Sequence, residues 1–305
     1  MKTTVDYLSF RTKHNHFKIL EALRPVFGTA SDLVTMNTGL RGRDGWEKSA
    51  ELMIVDFRVA TIDYGGINQR DWLRVQIPGS GCEWVQRWDI VESLGAFLDA
   101  EIRRLDIALT TFLREVMYSD VLAAHAAGEF MGRNGGVNPN LKKIENSDKM
   151  VGNTAYIGLR TSDKMLRCYE KGKESLKALA GSQRAAITTY EGFPIEDVFR
   201  VELELKAKDI YVPFTAIGRR DEVFAGAYPF TAKLLEGVPE WRMQKLPDFK
   251  AKAAITQALE NCRHSYGPTI RAGLEYCGGD YQKLLSIIMA SEPSASLVEA
   301  GVLCV

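Results

Sequence analysis

Short stretches in which apolar and polar residues alternate constrain the fold of this chain more than any other feature of its sequence. A period of two is typical of β-strands that bury one face, and turn residues between such stretches favour antiparallel pairing. The pattern predicts strands at Val5–Arg11, Met53–Tyr64, Trp72–Ile77, Ile102–Leu109, Thr154–Arg160, Lys164–Lys171 and Val198–Lys206. We therefore expect the chain to fold around a β-sheet.

The remaining periodic segments predict helices. Apolar residues recur at helical spacing in Phe17–Phe27, Ile90–Ala100 and Val116–Phe130, and a shorter helix is expected near Glu174–Leu179. Asp89 is the expected N-cap of the helix that starts at Ile90. From Pro213 onward the chain is predicted to be mainly helical, with prolines as punctuation.

The order of these elements recurs along the chain. A β-β-α-β unit is predicted at residues 50–130 and again at 154–208, with the Gly-rich and Asn-rich stretch 132–140 between them. The last strand of each unit contains an arginine, one further residue and an acid, as Arg104-Leu105-Asp106 and Arg200-Val201-Glu202. We predict an α+β fold whose antiparallel β-sheet core comes from two related β-β-α-β units, with helices on one face. Residues 1–210 are expected to form one domain and residues 211–305 a helical C-terminal region.

Composition and motifs exclude several classes of protein. Of the 305 residues, 46% are hydrophobic and 26% charged, which is the balance of a globular domain. The five cysteines are scattered without zinc-site spacing, and the N-terminal segment lacks the apolar run of a secretory signal. We therefore expect a reducing, cytoplasmic setting and no membrane association. The sequence has no Walker loop, dinucleotide fingerprint or Gly-x-Ser-x-Gly elbow, which disfavours ATP hydrolysis and serine hydrolase chemistry.

Charge is balanced over the whole chain but not locally. The 39 Lys and Arg equal the 39 Asp and Glu, so the chain lacks the overall basic character of a nonspecific nucleic-acid binder. From Tyr156 to Lys173, however, the basic residues Arg160, Lys164, Arg167, Lys171 and Lys173 outnumber the acids Asp163 and Glu170. This segment is the expected anion-binding surface.

Tyr169 lies at the centre of that basic segment. On a strand, Arg167, Tyr169 and Lys171 share one face, so two cations flank the phenol. A phenol with a pKa of about 10 is a weak nucleophile, and adjacent positive charge or a metal is what favours its oxyanion. The spacing is compatible with a catalytic tyrosine and also with an ordinary solvated strand face.

Carboxylates on the last predicted strands form a candidate metal site. Alternation places Val201, Leu203 and Leu205 toward the core, and Glu202 and Glu204 on the opposite face, together with Arg200 and Lys206. Asp106 occupies the related position in the first unit. Three such oxygen ligands suit Mg²⁺ or Mn²⁺, although an exposed face of alternating charges would have the same spacing.

Three strings of residues share a pattern with a known family. They are Tyr156–Ser162, Arg167–Lys171 and Phe199–Glu204, and they include a Tyr-x-Gly-x-Arg-x-Ser motif followed by Arg-x-Tyr-x-Lys. With the upstream stretches 5–10, 76–82 and 104–108, they resemble the replication initiation factor family of filamentous phages and rolling-circle plasmids. The resemblance spans residues 5–208.

The resemblance implies a rolling-circle replication initiator in the cytoplasm of a bacterial host cell. Tyr169 matches the tyrosine that attacks one DNA strand at an origin, leaving a 5′-phosphotyrosyl link and a free 3′-hydroxyl primer. Such an enzyme uses a divalent metal, Mg²⁺ or Mn²⁺, for which the expected ligands are Asp106, Glu202 and Glu204. The catalytic group is expected to include Arg167 and Lys171 beside Tyr169, and the expected DNA contacts are Arg160, Ser162, Lys164, Lys173 and Arg200.

Origin DNA, single-stranded or as a hairpin, is the expected partner, and host helicase, polymerase and a second copy of the chain are further candidates. Two alternatives stay open from the sequence. One is a DNA-binding regulator without nicking activity, which the neutral charge permits, as does Thr110 at a position where many relatives have an acid. The other is a related mobilisation relaxase, which would use the same tyrosine at a transfer origin.

Overall fold

The structure of the chain is a computed structural model that describes residues 2–132, 136–148, 150–177, 179, 183, 186–243, 247–290 and 292. The chain divides into two compact units, Met1–Met243 and Gln244–Val305. The predicted strands all fall in the first unit.

The strands of the first unit follow the predicted pattern in outline, with additional strands that the alternation did not indicate. The described strands are β1 (Thr4–Thr12), β2 (Val34–Arg41), β3 (Lys48–Ile54), β4 (Phe57–Tyr64), β5 (Leu73–Ile77), β6 (Glu101–Thr111), β7 (Leu141–Ile144), β8 (Thr154–Ile157), β9 (Lys164–Tyr169), β10 (Thr189–Tyr190), β11 (Phe193–Pro194) and β12 (Phe199–Lys206).

Ten of the described strands form one continuous antiparallel sheet. Their order is β2-β3-β4-β5-β1-β6-β12-β9-β8-β7, while β10 and β11 form a separate hairpin. The last strands of the two predicted β-β-α-β units, β6 and β12, meet in the middle of the sheet. The α+β class with an antiparallel core is therefore confirmed, and β1 lies between β5 and β6.

The prediction of one strand from Met53 to Tyr64 is wrong, because the chain reverses within it. Ile54 pairs with Phe57, so Val55 and Asp56 form a two-residue turn between β3 and β4. Val55 adopts a φ of 55° and its side chain is 67% exposed. A β-branched residue rarely occupies this left-handed region, so valine at this position does not indicate a turn.

Short helices accompany the sheet. They are α1 (His16–Leu23), α2 (Gly79–Cys82), α3 (Trp88–Phe97), α4 (Tyr118–Ala126), α5 (Lys171–Glu174), α6 (Arg220–Ala225) and α7 (Pro229–Leu234), with 3-10 helices at Arg24–Leu33, Ile67–Gln69 and Phe214–Ala216. Asp89 is not the N-cap of α3 as predicted. Arg87 holds that position, and Asp89 lies in the first turn, where it accepts hydrogen bonds from Arg87.

The core lies against one face of the sheet. Val201, Leu203 and Leu205 of β12 are buried there as predicted, together with Leu105, Ile107 and Leu109 of β6. Because side chains alternate along a strand, burying these residues forces their neighbours onto the opposite face. That opposite face carries the polar side chains discussed below, and we call it the polar face.

Residues 211–243 pack with the sheet unit. Val212, Phe214, Ile217 and Phe224 are buried members of its core. The predicted functional boundary after residue 210 stays a prediction, whereas packing places the division after Met243. The second unit contains α8 (Pro247–Tyr276), with Pro268 in its interior, and α9 (Tyr281–Ile288).

Among the residues that the structure describes, none belongs to a helix with the length and apolar character that a membrane span requires.

The turn at Val55 gives a test of the fold. Asparagine tolerates the left-handed region far better than valine, so Val55→Asn should raise the free energy of unfolding by about 1 kcal/mol. Urea unfolding measures this change. Val137→Asn makes the same substitution at an exposed loop position outside the left-handed region and should change stability by less than about 0.5 kcal/mol. A loss of stability in Val55→Asn would contradict the hairpin.

Candidate active site

The pairing of β6 with β12 brings the predicted acidic residues together. Asp106 lies directly opposite Glu204, and Glu202 lies opposite Ala108 on the same polar face. All three carboxylates are buried, with Asp106 only 1% exposed. Buried carboxylates need charged or hydrogen-bonding partners, because an isolated charge in a low-dielectric interior is strongly unfavourable.

Arg104 and Lys206 supply those partners. One Arg104 nitrogen, Nη2, lies 2.6 Å from a carboxylate oxygen of Asp106 and 2.6 Å from one of Glu204. Lys206 pairs with the other oxygen of Glu204. Burial raises the pKa of Asp106 to about 7, and the charges of Glu202 and Glu204 add to this, although Arg104 acts in the opposite direction.

Tyr169 lies on the same polar face, at the end of β9. Its backbone pairs with Arg200 of β12, and its hydroxyl donates a hydrogen bond of 3.3 Å to Glu202 Oε2. The Arg167 guanidinium lies 4.1 Å from the ring centroid and the Lys171 ammonium 6.0 Å from it. The structure therefore brings together Tyr169, its two predicted flanking cations and one predicted carboxylate.

The environment of the phenol differs from the expected one. Tyr169 is only 3% exposed, and the flanking cations lie over its ring. Burial, followed by the charge of Glu202, raises the pKa of Tyr169 above its ordinary value, and Arg200 and Arg167 offset this only in part. The resting phenol is thus held in its protonated form with a carboxylate as hydrogen-bond acceptor.

Glu202 accepts the hydrogen bond from the Tyr169 hydroxyl. Burial raises the pKa of Glu202, the charge of Asp6 acts in the same direction, and Arg167 and Arg200 lower it. Arg167 Nη1 lies 3.7 Å from Glu202 Oε2, so the same carboxylate oxygen faces both the phenol and a guanidinium. A carboxylate with a raised pKa is a stronger base, which is the property a proton acceptor needs.

A cavity of 350 Å³ lies next to this cluster. Four cations, two of the predicted acids, a tyrosine and a methionine line it. They are Arg104, Arg160, Arg167, Lys206, Glu202, Glu204, Tyr156 and Met165. The volume lies within the range of small-ligand sites, about 300–1,000 Å³. Counting Asp106, which Arg104 binds, four cations face three acids, so the cavity keeps a net positive charge that favours an anion such as a phosphate.

The acidic cluster does not fit a divalent metal as it is arranged. Carboxylate oxygens are the ligands that Mg²⁺ and Mn²⁺ prefer. Within the described part of the chain, however, no three His, Cys, Asp or Glu side chains are placed to hold one ion. Arg104 Nη2 lies between Asp106 and Glu204, in contact with both, so an ion could bind this pair only if the guanidinium moved away.

The predicted DNA contacts fall into separate environments. Arg160 lines the cavity, and Arg200 pairs with Asp6 at 2.8 Å and donates to Thr110 at 2.9 Å. Lys173 is paired with Glu170 at 2.6 Å, and Ser162 is in the turn between β8 and β9. Lys164 lies apart from the cavity. Its ammonium is 3.9 Å from the Tyr228 ring centroid and donates to the Ala227 carbonyl.

No role was assigned from the sequence to three of the groups in this site. Asp6 sits at an irregularity in the pairing of β1 with β6 and holds Arg200. Tyr156 is the cross-strand neighbour of Arg167, and Glu174 lies 3.7 Å from the same arginine. Tyr156 belongs to the motif string, but the contacts of Asp6 and Glu174 depend on strand neighbours that alternation alone does not define.

Comparisons with known proteins give a family and a fold. The profile of the replication initiation factor family matches residues 100–254, just over half of the chain. The structure is similar to that of the rolling circle replication initiator protein from Geobacillus stearothermophilus, with a TM-score of 0.56 and 18% sequence identity. That similarity covers 80% of this chain and 98% of the other and supports the fold. No curated protein sequence matches.

The buried position of the Lys164 ammonium against the Tyr228 ring can be tested by its titration. Burial, with a contribution from Arg242, lowers the pKa of Lys164 from 10.5 to about 8. Between these values the unfolded chain binds the proton and the folded chain does not, so stability should rise with pH across this window. Lys164→Met should remove that rise. Denaturant unfolding from pH 7 to pH 11 measures the effect, and Lys142→Met, at an exposed lysine of β7, is the matched control. Parallel curves for wild type and Lys164→Met would contradict the buried ammonium.

Proposed function

The chain belongs to the replication initiation factor family, and on that premise we propose that it is a rolling-circle replication initiator whose Tyr169 nicks one DNA strand at an origin. The observation that carries the proposal is the hydrogen bond from the Tyr169 hydroxyl to Glu202, next to a cation-lined cavity. A nucleophile within reach of a base and beside an anion site is the arrangement that phosphoryl transfer requires.

The proposed reaction is a transesterification. The Tyr169 hydroxyl gives its proton to Glu202, and its oxygen bonds to the phosphorus of the scissile phosphodiester. The bond from phosphorus to the 3′-oxygen breaks, and that oxygen takes up a proton from water to become the 3′-hydroxyl primer. The strand remains attached to Tyr169 through its 5′-phosphate, and reversal of the same steps joins strands.

Arg167 and Arg200 provide the electrostatic part of the proposal. Arg200 pairs with Tyr169 across the strands, and Arg167 lies against its ring. Positive charge at these positions stabilises the charge that develops on the phosphate oxygens in the transition state. Lys171, which is 6.0 Å from the ring centroid, adds to the same field.

DNA has to uncover the phenol, because the ring is almost completely buried. Arg167 is the side chain to displace, since it covers the ring and its contacts to Glu202 and Glu174 are long, at 3.7 Å each. We propose that a phosphate entering the cavity draws the Arg167 guanidinium off the ring and onto its own oxygens. The Arg167 Nε atom has no hydrogen-bond partner within the described part of the chain, so it is free to bind the phosphate.

The expected partner is origin DNA, single-stranded or extruded as a hairpin, in the cytoplasm of a bacterial cell. Arg160, which lines the cavity, and Arg200, which pairs with Tyr169 across the strands, are the proposed DNA contacts beside the reacting phosphate. Lys164, Lys173 and Ser162 would contact other parts of the strand. Helicase, polymerase and a second copy of the chain remain proposed partners.

A DNA-binding regulator is the second candidate, and the raised pKa and burial of Tyr169 favour it over a mobilisation relaxase. A regulator would bind origin DNA tightly without forming a covalent adduct. A relaxase would form the same adduct, but on a transfer origin rather than a replication origin.

Removing one oxygen tests the nucleophile. Tyr169→Phe should abolish the covalent protein–DNA adduct, because no oxygen remains to attack, and should leave the dissociation constant for origin DNA within about twofold. Adducts are counted on denaturing gels with a labelled origin oligonucleotide. Tyr156→Phe, at the other tyrosine beside the cavity, is the matched control and should retain the adduct. Full adduct formation by Tyr169→Phe would contradict the assignment.

The metal requirement is a separate prediction, which needs the Arg104 guanidinium to leave Asp106 and Glu204 when DNA binds. If Asp106, Glu202 and Glu204 hold Mg²⁺ or Mn²⁺ when DNA is bound, chelation should abolish adduct formation and either ion should restore it. Calorimetric titration of Mn²⁺ gives a readout independent of activity, and Asp106→Asn should weaken binding by about tenfold or more. Arg104→Gln should strengthen Mn²⁺ binding, because its guanidinium contacts two of the carboxylates. Undiminished adduct formation in excess chelator would overturn the metal requirement and leave the tyrosine chemistry intact.

A further inference from the structure

A second and larger cavity, of 820 Å³, lies on the polar face of the sheet. It is formed by residues of β1 to β5 and of the loop between β2 and β3, which we call the β2–β3 loop (residues 42–47). Every residue that lines it lies between positions 7 and 78, outside the segment that the family profile matches. Neither the sequence motifs nor the proposed chemistry assigns it a role.

The arginines of this cavity are of two kinds. Arg58 is paired with Glu51 at 2.9 Å, and Arg74 with Asp63 at 2.8 Å and Asp44 at 3.0 Å. These pairs fix the cavity floor, where two arginines offset two of the three acidic charges. Two further arginines of the lining, Arg41 and Arg43, are exposed and form no ion pair within the described part of the chain. Their guanidinium groups are therefore available to an external anion.

Aromatic rings accompany the cations on this part of the sheet. The Arg74 guanidinium lies 5.6 Å from the Trp46 ring centroid. Arg11, the cross-strand neighbour of Arg74, stacks on Trp72 at 4.2 Å, and Lys13 lies 5.1 Å from the same ring. Cations interleaved with aromatic rings are typical of surfaces that bind single-stranded nucleic acid.

Tyr7 connects the cavity to the candidate active site through its contacts on the polar face. Tyr7 lines the cavity and lies opposite Asp106 in the pairing of β1 with β6. Arg104, which binds Asp106 and Glu204, also lies 4.6 Å from the Tyr7 ring centroid. Tyr7 and Tyr169 lie three strands apart across the sheet and four residues apart along it, so about 20 Å separates them. Several nucleotides of one DNA strand would span it.

We propose that this cavity and the β2–β3 loop bind single-stranded DNA that flanks the nicked phosphate, with Arg41 and Arg43 contacting its backbone. The inference rests on the proposed function, for which it defines the path of the strand. The floor presents hydrogen-bonding groups of Tyr7, Ser49, Thr61 and Gln76, which suit exposed base edges. The volume is that of a small-ligand site and is too small to enclose a duplex.

Charge removal tests the inference. Arg41→Gln combined with Arg43→Gln should weaken the binding of labelled oligo(dT) by about tenfold and reduce the slope of log affinity against log salt by about 1.4, since each phosphate contact on a single strand contributes about 0.7. Fluorescence anisotropy at several salt concentrations measures both quantities. Arg41→Lys with Arg43→Lys keeps the charges and should retain the slope. Lys233→Gln removes an exposed charge from α7, whose Phe230 packs in the core rather than on the polar face, and should leave both quantities unchanged.

The outcomes separate this inference from the nicking proposal, because oligo(dT) binding requires no cleavage. Unchanged affinity and slope in the Arg41→Gln, Arg43→Gln variant would overturn the inference, even if origin DNA is still nicked. An equal loss of affinity for a duplex of the same length would also overturn it, since the site would then not be selective for single strands. A selective loss for oligo(dT) supports it, including in a protein that forms no adduct.

Discussion

The antiparallel pairing of β6 with β12 is the interaction on which the rest of the structure depends. Eight consecutive residue pairs hold these two strands in the middle of the sheet. Because alternate side chains face opposite ways, the pairing that buries Leu105, Ile107 and Leu203 in the core also places Asp106 beside Glu204 on the polar face. A shift of one residue would expose the core residues and separate the acids, so the hydrophobic pattern and the candidate site specify the same register.

The polar face is stable because its buried charges are balanced. Arg104 and Lys206 offset Asp106 and Glu204, and Arg167 lies near Glu202. Removing one member of such a cluster leaves an uncompensated charge, which is strongly destabilising. Burial and the nearby charge of Glu202 keep the Tyr169 phenol protonated, and Arg167 covers its ring. We infer that the negative charge of a DNA strand attracts arginines that otherwise form ion pairs with the carboxylates.

Much of this arrangement could be predicted from the sequence, because a period of two determines which residues share a face. That rule correctly separated Val201, Leu203 and Leu205 from Glu202 and Glu204, and the motif around Tyr169 indicated the family. Alternation does not reveal which strands are neighbours, so the insertion of β1 between β5 and β6, and with it Asp6 and Tyr7, was not foreseen. The burial of Tyr169 was missed for a related reason, since it depends on how the Arg167 side chain packs on the ring. The turn at Val55 was missed because valine gives no turn signal.

The central claim is that the Tyr169 oxygen becomes covalently bonded to DNA. Peptide mapping by mass spectrometry of the protein after incubation with an origin oligonucleotide and nuclease trimming tests it most directly. The account predicts a nucleotide phosphate on the peptide that contains Tyr169, with fragment ions that place it on the tyrosine ring oxygen. A nucleotide on another residue, such as Tyr7 or Tyr156, or a protein that binds the origin and carries no nucleotide at all, would contradict it.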